Sequence, residues 1–327
     1  ACGALEPQPF RRFEMQYPRT MITVLGLALT GVSAMVDSAS ADPAPPPFPA
    51  TLVGAEAAGE AGPAHQVFEA EVNGDRHWEV AKVDGDTTIT DVERAPDGTV
   101  FFATTAGDTN EIRRLAPTEQ AHYRVADGWA PAVSPDGRLL AFAYFPEGGD
   151  ICSGNNIGVL DLTTGDLRRF LSPPDAVAGP SCPDTPGFVT DITWAPDSRF
   201  LAFVYGDADT GNIRRLDTVF HDYLDEAYVL DPTRRYDTPA WLADGRLAVT
   251  EAHGARFQVM AVDVETRVAT AISPVFGGHR VNSLDADAGG RNLLIAIDGA
   301  SHATEVYALR AGEAPTPLAP AFPISVW

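Results

Sequence analysis

Ala130-Pro-Ala-Val-Ser-Pro-Asp-Gly-Arg-Leu-Leu-Ala-Phe-Ala-Tyr144 reads as a strand, a tight turn and a second strand. In Ser134-Pro135-Asp136-Gly137 proline presets φ at the second turn position, aspartate suits the third, and glycine closes the turn at little steric cost. Leu139 to Tyr144 follow as a mostly apolar run, whose length and aromatic content suit a strand buried on both faces.

The phrase returns along the chain. Asp91-Val-Glu-Arg-Ala-Pro-Asp-Gly98 leads into Thr99-Val-Phe-Phe-Ala103, and Asp191-Ile-Thr-Trp-Ala-Pro-Asp-Ser198 into Arg199-Phe-Leu-Ala-Phe-Val-Tyr205. Pro239-Ala-Trp-Leu-Ala-Asp-Gly245 leads into Arg246-Leu-Ala-Val249, and a degenerate copy, Ser283-Leu-Asp-Ala-Asp-Ala-Gly-Gly290, into Arg291-Asn-Leu-Leu-Ile-Ala-Ile297. The turn aspartates at 97, 136, 197 and 244 lie 39, 61 and 47 residues apart, so the middle interval holds an insertion. Further strand signals, such as Asn156 to Asp161, Phe257 to Asp263 and Glu305 to Leu309, fill the intervals. Each anchor thus opens a meander of four strands, A to D. Repeats of roughly 40–45 residues that each build one small sheet predict an all-β chain folded as a β-propeller.

The Ser134-Pro-Asp-Gly-Arg138 phrase with its following aliphatic-Ala-Phe strand resembles the TolB-type, WD-like propeller repeat, from about residue 64 to the end. The resemblance implies a fold rather than a function. Such propellers serve as binding platforms, as hydrolase gates and, in one branch, as pectin lyases.

The two ends are expected to complete the ring. Gln66 to Val72 and Trp78 to Val83 read as strands B and C of a blade without a strand A, and Phe322-Pro-Ile-Ser-Val-Trp327 reads as an anchor strand that stops before its turn. Joining them gives six four-stranded blades, closed by the N- and C-terminal strands. Residues 42–63 are rich in Pro, Ala and Gly and read as a tether. In residues 1–41, Arg11, Arg12 and Arg19 precede an apolar run from Met21 to Val36, and Ala39-Ser40-Ala41 fits a small-x-small cleavage site. This is the pattern of a signal peptide with an upstream leader, and it predicts cleavage after Ala41, secretion, and no membrane span in the mature form.

The chain carries 45 acidic against 23 basic residues, a net charge of −22, and Lys82 is its one lysine. Such a surface opposes non-specific nucleic-acid binding, which needs a positive face. Of the three cysteines, Cys152 and Cys182 fall in loops of one propeller end and are expected to form a disulfide.

Nucleophile chemistry is not signalled: no Gly-x-Ser-x-Gly occurs, and Gly299-Ala-Ser-His-Ala303 lacks the closing glycine. Carboxylates two apart at Asp207 and Asp209, and at Asp285 and Asp287, lack the further oxygens of a calcium loop and read as turn chemistry. His77, His253, His279 and His302 share one end of the propeller, without the ligand spacing of a zinc site. That end also holds Arg280 and the starts of the inner strands, with Asp91, Asp191 and Asp237 at the channel mouth. The expectation is a monomeric, cofactor-free, non-catalytic platform. It binds an extracytoplasmic protein, peptide or cell-envelope component through His253, His279, Arg280, His302, Asp91, Asp191 and Asp237. The alternative is a metal-assisted polysaccharide lyase or hydrolase that uses the histidine-bearing face.

Overall fold

The Pro-Asp-Gly turns close by one repeated scheme. Gly98 N–H donates to Ala95 O at 2.9 Å, Gly137 to Ser134 O at 2.8 Å, Ser198 to Ala195 O at 2.9 Å and Gly245 to Leu242 O at 3.0 Å. The turn aspartate then accepts the backbone N–H two residues on. Asp97 takes Thr99 at 2.8 Å, Asp136 takes Arg138 at 3.0 Å, Asp197 takes Arg199 at 3.0 Å and Asp244 takes Arg246 at 3.1 Å. The closing residue is left-handed in all four, at φ 87°, 73°, 57° and 82°, and only Ser198 adopts it without being glycine.

The architecture is that of a computed structural model, which describes residues 51–57, 64–71, 77–145, 156–170, 188–206, 212–219, 227–228, 235–254, 256–277, 281–286, 292–298, 304–310, 313 and 315–317. All regular structure among them is β. The first sheet has three strands, β1 (Thr51–Ala57), β2 (Ala64–Glu71) and β3 (His77–Lys82), in that order. The next is β4 (Thr88–Arg94), β5 (Val100–Ala106), β6 (Thr109–Leu115) and β7 (Tyr123–Asp127); then come β8 (Trp129–Val133), β9 (Leu139–Tyr144), β10 (Asn156–Asp161) and β11 (Leu167–Phe170). The fourth is β12 (Phe188–Trp194), β13 (Phe200–Gly206), β14 (Asn212–Asp217) and β15 (Ala227–Tyr228). The fifth is β16 (Arg235–Trp241), β17 (Leu247–His253), β18 (Arg256–Val262) and β19 (Ala269–Ala271), with β20 (Phe276–Gly277) also on β18. The last is β21 (Val281–Ala286), β22 (Asn292–Asp298), β23 (Thr304–Arg310) and β24 (Thr316–Pro317). Every ladder is antiparallel, all but β18–β20 join sequence neighbours, and the first strands of successive sheets stand beside one another in chain order. This is a β-propeller.

One sheet cannot bury both faces, so neighbours share cores. Ile157 and Phe170 of the third sheet pack with Ile192 and Phe203 of the fourth. Val204 and Ile213 of the fourth pack with Tyr236 and Val249 of the fifth, and Phe257 and Val259 of the fifth with Leu284 and Ile295 of the last. Two indoles bolt the third and fourth sheets together: Trp129 Nε1 donates to Val189 O at 2.7 Å, and Trp194 Nε1 to Ala132 O at 2.9 Å. Trp194→Phe keeps an aromatic side chain but removes the indole N–H from the buried Ala132 carbonyl, and is expected to cost about 1–3 kcal/mol. A urea-unfolding midpoint equal to wild type would show that the bolt contributes nothing.

Arg138 pairs with Asp161 at 2.7 Å and Arg199 with Asp217 at 2.5 Å. Each pair ties the start of a second strand to the end of a third. The A–B and C–D turns therefore share one end, and the second-to-third connections and inner-strand starts share the other.

The N-terminal sheet departs from the expectation. β1 lies inside the stretch 42–63 read as a tether, and it holds the inner position assigned from the sequence to residues 322–327. Residues 1–41, the proposed closing strand 322–327, and Cys152 and Cys182 all lie outside the described residues. No helix among the described residues is long and apolar enough to cross a membrane.

Candidate functional site

The inner strands carry acids at matching heights. In each full sheet Val100, Leu140, Leu201, Leu247 or Leu293 is the first or second residue of the second strand, and three residues further on come Ala103, Ala143, Val204, Thr250 and Ala296. Their partners on the inner strands are Asp91, Trp129, Asp191, Asp237 and Ser283. Three of these five equivalent positions are aspartate. Two residues nearer the turn on the same face, Glu93 pairs with Phe101 and Asp285 with Leu294. The residues between them, Val92 and Leu284, face the other way, into hydrophobic clusters.

A bulge accompanies the upper rung in every one of these sheets. The register shifts between Ile89 and Asp91, Trp129 and Ala132, Val189 and Asp191, Asp237 and Ala240, and Val281 and Ser283. Ala130 and Thr238, within two of these bulges, have φ of 49° and 46°. A bulge bends its strand and re-aims its side chains. Repeated around the ring, it turns the aspartates of different sheets toward a common space at the end where the inner strands begin.

The electrostatics show how close they come. Burial pushes the Glu93 carboxyl well above the ordinary carboxylate range, and the charges of Asp285, Asp91 and Asp191 add to it. Burial does the same to Asp191, reinforced by Asp91, Asp285 and Asp237. Glu93 accepts the Val133 N–H of the next sheet at 3.4 Å, and Asp91 accepts the Val92 N–H at 2.8 Å. Asp237 has an ion pair to a neighbouring guanidinium, Arg235 at 2.7 Å. Above it on β17, the exposed His253 Nε2 lies 2.8 Å from the carboxylate of the buried Glu251.

Asp91, Asp191 and Asp237 thus stand on three inner strands, and His253 lies at the same end. His77 begins β3. His279, Arg280 and His302 lie outside the described residues. The sequence does not single out Glu93, Ser283 or Glu251. Glu93 was findable, since it falls two residues after Asp91 and so on the same strand face. Asp285 was read as turn chemistry but belongs to β21. Among the described residues no three His, Cys, Asp or Glu side chains converge closely enough to chelate a metal ion.

No protein-family profile matches the chain, and no curated protein does. Solved structures do. TolB from Acinetobacter baumannii superposes with a TM-score of 0.60 at 16% identity, over 80% of this chain and 61% of that one. The fold is a TolB-like β-propeller. A puromycin-hydrolyzing peptidase of Mycobacterium tuberculosis matches with a TM-score of 0.55 at 16% identity, over 83% of this chain and 42% of its own. An oligogalacturonate lyase in complex with manganese matches at 0.51 and 14% identity, over 79% and 71%. The TolB-like chain thus spans about three-fifths of TolB's length and under half of the peptidase's, and at these identities the likeness is one of fold.

Proposed function

We propose that the chain is an exported, non-catalytic propeller that binds an extracytoplasmic protein or peptide at the end where its inner strands begin. The observation that supports this most is the two-level set of carboxylates on β4, β12, β16 and β21. It is buried at Asp91 and half-buried elsewhere, lies outside the ordinary turn chemistry, and sits where loops vary most between blades. The opposite end carries the repeated Pro-Asp-Gly turns, which offer little chemical variety. Groups held on a rigid scaffold at variable loops are where binding concentrates. Export rests on the signal-like residues 1–41, and the disulfide between Cys152 and Cys182 would rigidify two long loops of the binding end.

The proposal includes six blades. Residues 83–87 between β3 and β4 leave no room for a fourth strand in the first sheet, so residues 322–327 are assigned to its outer edge, beside β3. The ring then closes with β1 inside and the C-terminal strand outside. Deleting residues 322–327 should expose that edge and lower the unfolding midpoint; an unchanged midpoint would remove the closure.

Affinity capture from an extracytoplasmic fraction with the mature domain is the test of function. Stoichiometric retention of one protein or peptide, with no turnover of polygalacturonate with or without manganese, is expected. Metal-dependent cleavage of the polysaccharide would overturn the platform reading in favour of a lyase.

A further inference from the structure

Arg214 on β14 pairs with Phe203, so its side chain leaves the fourth sheet on the Phe203 face, toward the third sheet. It is half-buried, and its guanidinium lies 4.1 Å over the Tyr205 ring. Burial pulls its pKa below the ordinary arginine value, whereas Arg138, Arg199 and Arg246 are held charged by Asp161, Asp217 and Asp244. The chain carries 45 acidic residues, yet among the described residues none sets a carboxylate against Arg214. Its Nε is buried without a hydrogen-bond partner, and so is the hydroxyl of Tyr205, a residue 7% exposed. Buried polar groups are paired almost without exception, so two unpaired donors side by side suit an acceptor from outside the sheet.

The second sheet shows which acceptor fits. Phe102 stands two residues after Val100 as Phe203 stands two after Leu201, and it pairs with Arg113 as Phe203 pairs with Arg214. The next pair on that face is Thr104 with Glu111 in the second sheet and Tyr205 with Asn212 in the fourth. Arg113 Nη2 donates to Glu111 Oε2 at 2.7 Å. β14 has asparagine at the position of that glutamate, so the fourth sheet does not provide the carboxylate that the second provides for itself.

We propose that Arg214, stacked on Tyr205, is a binding site for the carboxylate of an aspartate or glutamate side chain presented by the partner. Stacking holds the guanidinium by its face and leaves the N–H groups along its edge free, in the fork that matches a carboxylate. The Tyr205 hydroxyl beside it supplies a further donor. One guanidinium balances one negative charge, and the chain's net charge of −22 opposes a dianion such as phosphate. β14 begins at the end where second strands lead into third strands, which is the end that the platform reading gives to the partner. This inference rests on that reading and names one group its ligand carries.

The test is a magnetic-resonance titration of the full chain, made with isotope-labelled arginine, at about 150 mM salt. The probes are acetyl-Gly-Ser-Glu-Ser-Gly-amide and the same peptide carrying glutamine. The Arg214 Nε–H signal, identified by its loss in Arg214→Lys, is expected to move with the glutamate peptide. That peptide should bind at least about tenfold more tightly than the glutamine one, since only the charge differs. Asn212→Glu gives the fourth sheet the carboxylate that Glu111 gives the second, and it should abolish the preference with the unfolding midpoint held or raised. Tyr205→Phe, which removes one buried oxygen, should weaken the glutamate peptide by about three- to tenfold. If Tyr205→Phe does not fold, Asn212→Glu carries the test. Equal binding of the two peptides, or a preference that survives Asn212→Glu, overturns the assignment. So does inorganic phosphate that moves the Arg214 signal at lower concentration than the glutamate peptide. If a captured partner binds Asn212→Glu and Arg214→Gln as tightly as wild type, the platform stands and the carboxylate site falls.

Discussion

Replacing Gly128 by alanine is expected to destabilise the propeller by about 3–5 kcal/mol, among the largest effects a single residue can have. Gly128 joins β7 to β8, the step from one sheet to the next, and its N–H donates to Asn110 O at 3.0 Å. Its φ is 151°, a conformation that L side chains rarely adopt, and a Cβ there would sit 2.2 Å from Ala143 O and 2.9 Å from the Phe142 ring. The carbonyl belongs to β9, in the centre of the third sheet, so it cannot swing aside as a side-chain tip would. Gly158 is a milder case. Its Cβ would meet the Phe142 ring at 2.7 Å, and an aromatic ring can shift, so Gly158→Ala should cost about 1–3 kcal/mol. Chemical-denaturation midpoints of the two variants test the ranking. A Gly128→Ala protein as stable as wild type would contradict the close approach of Gly128 to the β9 backbone.

The second large effect is electrostatic and has a definite sign. Glu93 and Asp191 have carboxyls raised by burial and by their acidic neighbours. A carboxyl raised in the folded state binds a proton there that the unfolded chain has released, so stability falls as pH rises through the window between the two values. That window opens at about pH 4, where an unfolded carboxylate titrates, and extends upward to the raised folded value. The wild-type protein should therefore be more stable at mildly acidic than at neutral pH. Glu93→Gln removes one of these charges while keeping the shape. It should raise stability at neutral pH by about 1–3 kcal/mol and flatten the acid-side slope. Thermal unfolding of both proteins between about pH 5 and 8 tests this. A wild-type curve that rises toward neutral pH would show that these carboxyls are not crowded together.

Much of this was legible from the chain. The turn phrase around Asp136 located the second strands to within a residue or two, because proline, aspartate and glycine each constrain one backbone position. The inner aspartates at 91, 191 and 237 stood out because they precede those anchors at similar distances. Other features left little trace. β1, Thr-Leu-Val-Gly-Ala-Glu-Ala, has few β-branched or aromatic residues and sits among prolines and alanines, so its composition resembles a tether. The outer strands β7 and β11 are mostly exposed and carry no apolar alternation. Asp285 was hidden by the degenerate copy in which it lies, where aspartate and glycine mimic a turn. The common height of Asp91, Asp191, Asp237 and Ser283 could not be read at all, because the bulges shift each inner strand by amounts that only the pairing reveals.

The central claim is that a partner meets the end where the inner strands begin, and that the acids there hold it. With a captured partner in hand, the dissociation constant should be measured for wild type, for Asp91→Asn with Asp191→Asn, and for Glu265→Gln. Glu265 lies in the β18–β19 turn at the opposite end, its side chain 80% exposed. The account predicts that the inner pair weakens binding by at least about tenfold while Glu265→Gln leaves it unchanged. Binding that tolerates the inner pair and is lost with Glu265→Gln would contradict it.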